Sequence, residues 1–143
     1  MANRVYNILG NIDSRTLQPV SQSVTFEQGD LIAVDSTGYV SLCTDTAGKR
    51  FVGFNNDNKV DNSTGANGDK NVYATLATVG NMYFSSAITP FDQGKPVYAT
   101  SNSKLVSLAS GSNSIPVGRV LSLPIGATTS TTASVEFGKR SLY

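Results

Sequence analysis

The chain contains no histidine and no tryptophan, and it has one cysteine and two glutamates among 143 residues. Each absence removes a chemistry. Without histidine there is no Ser-His-Asp or Cys-His set for nucleophilic catalysis, and no motif around any serine supports a Ser-Lys pair. A zinc site draws on several Cys or His, and Cys43 stands alone. The lone cysteine also excludes an intramolecular disulfide. It lies in the strand-like run Tyr39-Val40-Ser41-Leu42-Cys43 and reads as a buried structural thiol rather than a reactive one. Glu27 and Glu136 flank or sit in ordinary strands, which is not the paired-acid arrangement of a glycoside hydrolase. The 12 aromatic residues are all Phe or Tyr, a thin basis for stacking sugars or unpaired bases. The expectation is a protein that is not an enzyme and carries no cofactor and no metal.

Charge is scarce too. Charged residues make up 15% of the chain and nearly cancel, 11 basic against 10 acidic. Nothing in that balance draws the chain to nucleic acid or to an anionic membrane. No apolar run approaches the roughly 20 residues of a membrane-spanning helix. The segment from Met1 to Thr25 lacks the basic start and apolar stretch of a signal peptide, so a soluble protein made in a cytoplasm is expected. In that setting the sequon Asn62-Ser63-Thr64 is idle. The length suits one domain with its own core.

What the chain does have is Ser, Thr, Asn and Gly in quantity, and a repeat. Gly29-Asp30-Leu31-Ile32-Ala33-Val34-Asp35-Ser36-Thr37-Gly38-Tyr39-Val40-Ser41-Leu42 closes with Val52-Gly53-Phe54. Gly94-Lys95-Pro96-Val97-Tyr98-Ala99 leads through Val106-Ser107-Leu108 and closes with Val117-Gly118-Arg119. Gly29 recurs as Gly94 and Gly53 as Gly118 at one and the same offset, and only the Val-Ser-Leu triplet slips, by a single position. Each unit, 29–54 and 94–119, reads as glycine turn, strand, tight turn, strand, loop and a strand with a Val-Gly step. A repeated hairpin-plus-strand unit predicts an all-β fold, a compact barrel or sandwich.

Around the repeats, residues 1–20 read as an extended N-terminal arm, with Val5, Tyr6, Ile8 and Leu9 as apolar anchors and Pro19 favouring an extended chain. Strands are expected over Val20–Phe26, Leu31–Val34, Tyr39–Cys43, Arg50–Phe54, Asn71–Val79, Ile115–Leu123 and Ala133–Phe137, with Met82–Phe84 as a continuation or partner. Asn55–Lys70 reads as the longest loop, too polar for core. Thr89-Pro90-Phe91-Asp92-Gln93-Gly94 predicts one helical turn, capped by Thr89 and stopped by Gly94. Pro116 suggests an edge position or the start of a strand. The domain is expected over 21–137, with 138–143 a basic-aromatic tail. Asp57 and Asp61 recur at a calcium-loop spacing, but Lys59 takes the intervening ligand position and no Glu closes the loop, so a solvated turn is the reading. Gly65-Ala66-Asn67-Gly68-Asp69-Lys70 precedes a strand, the wrong context for a phosphate loop.

The order and spacing of these units over residues 20–137 resemble the head decoration, or capsid cement, proteins of tailed bacteriophages. The residues that carry the resemblance are Gly29 to Asp35, Gly38-Tyr39-Val40, Val52-Gly53-Phe54, the polar loop through Gly68-Asp69, the strand from Val72, Gly94 to Tyr98, Val117 to Val120, and Val135-Glu136-Phe137. The resemblance implies a tulip-like β body on the outer capsid surface of the virion. It implies a homotrimer and the major capsid protein as partner, with no catalytic residues, no nucleic acid and no membrane. It also implies that the arm, with Val5, Tyr6, Ile8 and Leu9, reaches onto the capsid lattice. Two other readings are an adhesive or carbohydrate-binding β module (a head fibre or tail tip) and another virion part such as a head-completion or tail-tube protein. The former calls for exposed aromatics or acids clustered on one face, the latter for longer helices or ring-building hairpins.

Overall fold

A computed structural model describes residues 14–137. Twelve strands and one 3-10 turn make up that span: β1 Ser14–Pro19, β2 Val24–Phe26, β3 Leu31–Val34, β4 Val40–Leu42, β5 Arg50–Phe54, β6 Val60–Asn62, β7 Asn71–Leu76, β8 Val79–Ile88, the 3-10 turn Pro90–Asp92, β9 Pro96–Ala99, β10 Leu105–Ser107, β11 Pro116–Ser122 and β12 Ser130–Phe137. The fold is all-β, as the repeat predicts. The 3-10 turn forms where Pro90 presets the helical φ. The Asp92 backbone amide bonds Thr89 O at 2.9 Å and the Asp92 carboxylate accepts from the Thr89 amide at 2.8 Å. Gly94, at φ 88, ends it.

Two five-stranded sheets lie side by side, in the orders β1-β7-β5-β3-β4 and β10-β8-β12-β11-β9. The second closes into a barrel through a parallel pairing of β10 with β8. The first meets its own end at one parallel bridge, Val20 to Val40. β2 and β6 form a short ribbon beside the first sheet.

The repeat seen in the sequence is part of a complete duplication. The pairs Leu31↔Phe54, Ile32↔Gly53 and Ala33↔Phe51 return as Pro96↔Arg119, Val97↔Gly118 and Tyr98↔Pro116, all at the offset of the glycines and with the register shift at the same step. The pairs Ala33↔Ser41 and Val34↔Val40 return as Tyr98↔Ser107 and Ala99↔Val106, so the slip of the triplet is one extra residue in the second hairpin turn. Phe54↔Thr75 returns as Arg119↔Glu136. The five pairs from Arg15↔Thr75 to Pro19↔Asn71 return as Val79↔Glu136 to Tyr83↔Thr132, each strand at its own constant offset. Even the closing bridge Val20↔Val40 has its counterpart in Phe84↔Val106. Turn bonds follow suit. The Gly29 amide donates to Asn55 O at 2.7 Å, and the Gly94 amide to Val120 O at 2.8 Å.

Strand alternation decides which side chains are buried. In the first copy Val20, Ile32, Val40, Val72 and Ala74 face one core, which Phe26 of β2 completes. In the second, Phe84, Val97, Ala99, Val106, Val117, Val135 and Phe137 face another, and this core takes in Leu31, Ala33, Cys43, Phe51 and Phe54 from the first copy. The run Leu31-Ile32-Ala33-Val34 is continuously apolar because β3 is buried on both faces. The structure thus has two copies that share a core.

Several expectations are corrected. Residues 14–20, read as the end of the arm, belong to the body: they are extended, but paired with β7 and anchored by Val20, which is fully buried. Val20–Phe26 is not one strand, since Ser23 sits at φ 63 and turns the chain between β1 and β2. The polar loop 55–70 contains β6 and two buried asparagines. Their amide nitrogens bond backbone, while Asn62 Oδ1 has no partner among the described residues. The Asn55 amide nitrogen donates to Glu27 O and Asn58 O, both at 3.2 Å, and that of Asn62 to Ser21 O at 2.9 Å and Ala66 O at 3.0 Å. The strand expected through Val79 stops at Leu76, and Val79 opens β8, the first strand of the second copy.

Candidate interaction surface

The strand pair β1·β7 and its counterpart β8·β12 present outer faces opposite their buried ones. Of the seven large apolar side chains exposed among the described residues, four lie there: Leu17 and Tyr73 on the first, Val79 and Tyr83 on the second. Leu17 and Tyr73 are cross-strand partners and are 56% and 43% exposed. The Arg15 guanidinium lies 4.2 Å from the centre of the Tyr73 ring and donates to Asp57 Oδ2 at 2.7 Å. The result is an apolar pair beside a stacked, ion-paired arginine. No described strand pairs with the other edge of Ser14–Pro19, where β1 ends the sheet order. That edge leaves backbone amides and carbonyls for an added strand.

On the second face the counterparts of Leu17 and Tyr73 are Asn81 and Ser134. These smaller, polar side chains line a cleft of about 430 Å³ with Tyr83, Leu123, Pro124 and Thr132. Ser134 Oγ bonds Asn81 Oδ1 at 3.2 Å. A third group, Phe91, Leu121 and Ile125, is also exposed, and Lys95 Nζ lies 5.4 Å from the Phe91 ring centre.

The anchors expected on the arm, Val5, Tyr6, Ile8 and Leu9, lie outside the described residues, as does the tail 138–143. The first described residue, Ser14, opens the open-edged β1. Asp57 and Asp61 are turned to separate partners. Asp57 pairs with Arg15, while Asp61 accepts from Thr25 Oγ1 at 3.0 Å and the Ser63 amide at 2.9 Å. The bonds from Ser63, then that from Thr25, pull the Asp61 carboxyl down to about 2. Asn62 of the sequon is buried, its amide committed to backbone. Cys43 is buried as expected, and burial pushes its thiol up to about 12. No helix among the described residues is long and apolar enough to cross a membrane.

Two further clusters join the copies. The Asp30 carboxylate, buried in a turn of the first copy, accepts from Ser103 Oγ at 2.7 Å and Lys104 Nζ at 2.8 Å in the second. The Asp45 carboxylate accepts from the amides of Ser112 and Asn113, both at 2.9 Å. These contacts fix the two outer faces relative to each other.

Sequence alternation over 71–76 places Tyr73 opposite Val72 and Ala74, so its exposure was readable. The pairing of Asn81 with Ser134 was not, because neither resembles its counterpart in the first copy. Together the pairings define a tandemly duplicated five-stranded β protein. Comparison with known protein families, curated proteins and solved structures finds no match to this chain.

Proposed function

We propose that this protein is a non-enzymatic virion structural protein, a capsid decoration protein that binds the outer capsid surface and stabilises the lattice of major capsid protein. The observation that carries the reading is β1. It is an open-edged strand flanked by exposed Leu17, Tyr73 and Arg15, and it continues from the segment bearing Val5, Tyr6, Ile8 and Leu9. Main-chain bonds along such an edge supply affinity, and apolar anchors supply specificity. A homotrimer engages three sites at once and gains avidity without a tight single contact. The resemblance in order and spacing over residues 20–137 supports the same reading.

Co-sedimentation with expanded phage heads that lack the protein tests it. Saturable binding that raises the heads' resistance to heat is expected. Deleting residues 1–13, which leaves β1 and buried Val20 in place, is expected to leave a folded body that no longer saturates heads. Leu17→Asp should weaken binding about tenfold or more, as loss of a central interface anchor does. Absence of binding by the full chain would refute the reading, and full saturation by the truncated chain would refute the role of the arm.

A further inference from the structure

The cleft on the outer face of β8 and β12 has a volume of about 430 Å³, within the range of small-molecule sites. Tyr83, 65% exposed, stands on one side, and Leu123 and Pro124 contribute apolar surface. Asn81, Thr132 and Ser134 contribute an amide and two hydroxyls, and no charged side chain lines the cleft among the described residues. Ser134 donates to Asn81 Oδ1, and the Asn81 amide nitrogen, on an exposed residue, makes no hydrogen bond to another described residue.

We propose that this cleft binds a neutral saccharide. A sugar ring has an apolar face of C–H groups and a rim of hydroxyls. Tyr83 offers the flat apolar surface such a face stacks on. Asn81, Thr132 and Ser134 both donate and accept, as a hydroxyl rim does. An ionic ligand would find no counter-charge in this lining. A wholly apolar one would bury the amide and hydroxyls without partners, at a cost. The duplication sharpens the argument. In the first copy the places of Asn81 and Ser134 are filled by Leu17 and Tyr73. The fold therefore accepts bulky apolar side chains at these positions, and it is small polar ones that line the cleft. A chain with no cluster of aromatics carries little outward sign of such a site. The fold assembles it from one tyrosine and residues of two strands far apart in the chain.

This proposal does not depend on the capsid reading, and its test uses no capsids. The full chain, labelled with nitrogen-15, is titrated to millimolar concentration with the methyl glycosides of glucose, galactose, mannose and N-acetylglucosamine and with maltose, lactose and chitobiose. At least one is expected to shift the amides of Asn81–Tyr83 and Thr132–Ser134 saturably. Tyr83→Ala, a change at an exposed side chain, should weaken that binding about tenfold. The double variant Asn81→Leu, Ser134→Tyr, which installs the first copy's residues, should abolish it while the remaining spectrum persists. No saturable shift of these amides by any sugar of the panel overturns the proposal. So does a shift that survives Tyr83→Ala undiminished, or one produced by a proline-rich peptide and by none of the sugars.

Discussion

Gly53 and Gly118 show at a single position why the repeat kept its glycines. A Cβ on Gly53 would stand 2.7 Å from Thr75 O, and one on Gly118 would stand 2.3 Å from Glu136 O. These carbonyls occupy equivalent places on the neighbouring strand of each copy. Close backbone approach, not turn geometry, is the shared requirement. Gly29 differs: it sits at φ 92 with open space around it, so a side chain there meets only backbone strain. Gly118→Ala is therefore expected to cost about 1–3 kcal/mol by overpacking. Urea denaturation should show a larger loss for it than for Gly29→Ala, and the reverse order would contradict this account. The common offset of both glycines was legible in the sequence. The burial of Asn55 and Asn62 was not, because nothing local announces that an asparagine will bond its amide nitrogen to backbone from a distant segment. Lys104 carries a pH dependence. Its bond with Asp30 raises its pKa above the ordinary 10.5. A raised pKa stabilises the fold fully below the ordinary value and ceases to do so as pH climbs through the raised one. Stability measured from pH 9 to 12 should fall less steeply for Lys104→Met than for the native chain.

Among the elements, some of the repeat was readable and some was not, and the difference has a cause. β3 and β9, β4 and β10, and β5 and β11, with the turns between them, keep glycines and the Val-Ser-Leu triplet at nearly constant offsets, so both units could be read. β1 and β8, and β7 and β12, keep only the alternation of burial. Val20 answers to Phe84, Val72 to Ala133, Ala74 to Val135 and Leu76 to Phe137, none identical. Their offsets differ from that of the glycines and depend on loop lengths that only the pairings reveal. The polar loop between β5 and β7 misled because its one large apolar side chain, Val60, is packed against the first core. Loop conformation is set instead by carboxylates. Bonds from the amides of Ser112 and then Asn113 lower the Asp45 pKa below the ordinary 3.8. A lowered carboxylate pKa stabilises above the ordinary value and stops doing so as pH falls through the lowered one. The amide resonances of Ser112 and Asn113 are expected to titrate with a midpoint below 3.8, and Asp45→Asn should remove the step. A midpoint at or above that ordinary value would count against this clasp.

For the molecule as a whole, duplication does not imply independence. The first copy places Leu31, Ala33, Cys43, Phe51 and Phe54 in the core of the second. Phe137, in the last strand, has its ring centre 5.9 Å from that of Phe51 and 5.8 Å from that of Phe54. Gly80 leaves the space that ring needs, since a Cβ there would stand 2.9 Å from it. With Asp30 and Asp45 bonded across the same junction, the second copy does not complete its core without the first. The two outer faces are then held in one fixed relation. One cooperative unfolding transition is expected by calorimetry, with calorimetric and van't Hoff enthalpies equal. Phe137→Ala should destabilise the whole by about 3–5 kcal/mol and move that single transition down without splitting it. Were the copies independent, the variant would show two transitions, with the first copy's left where it was.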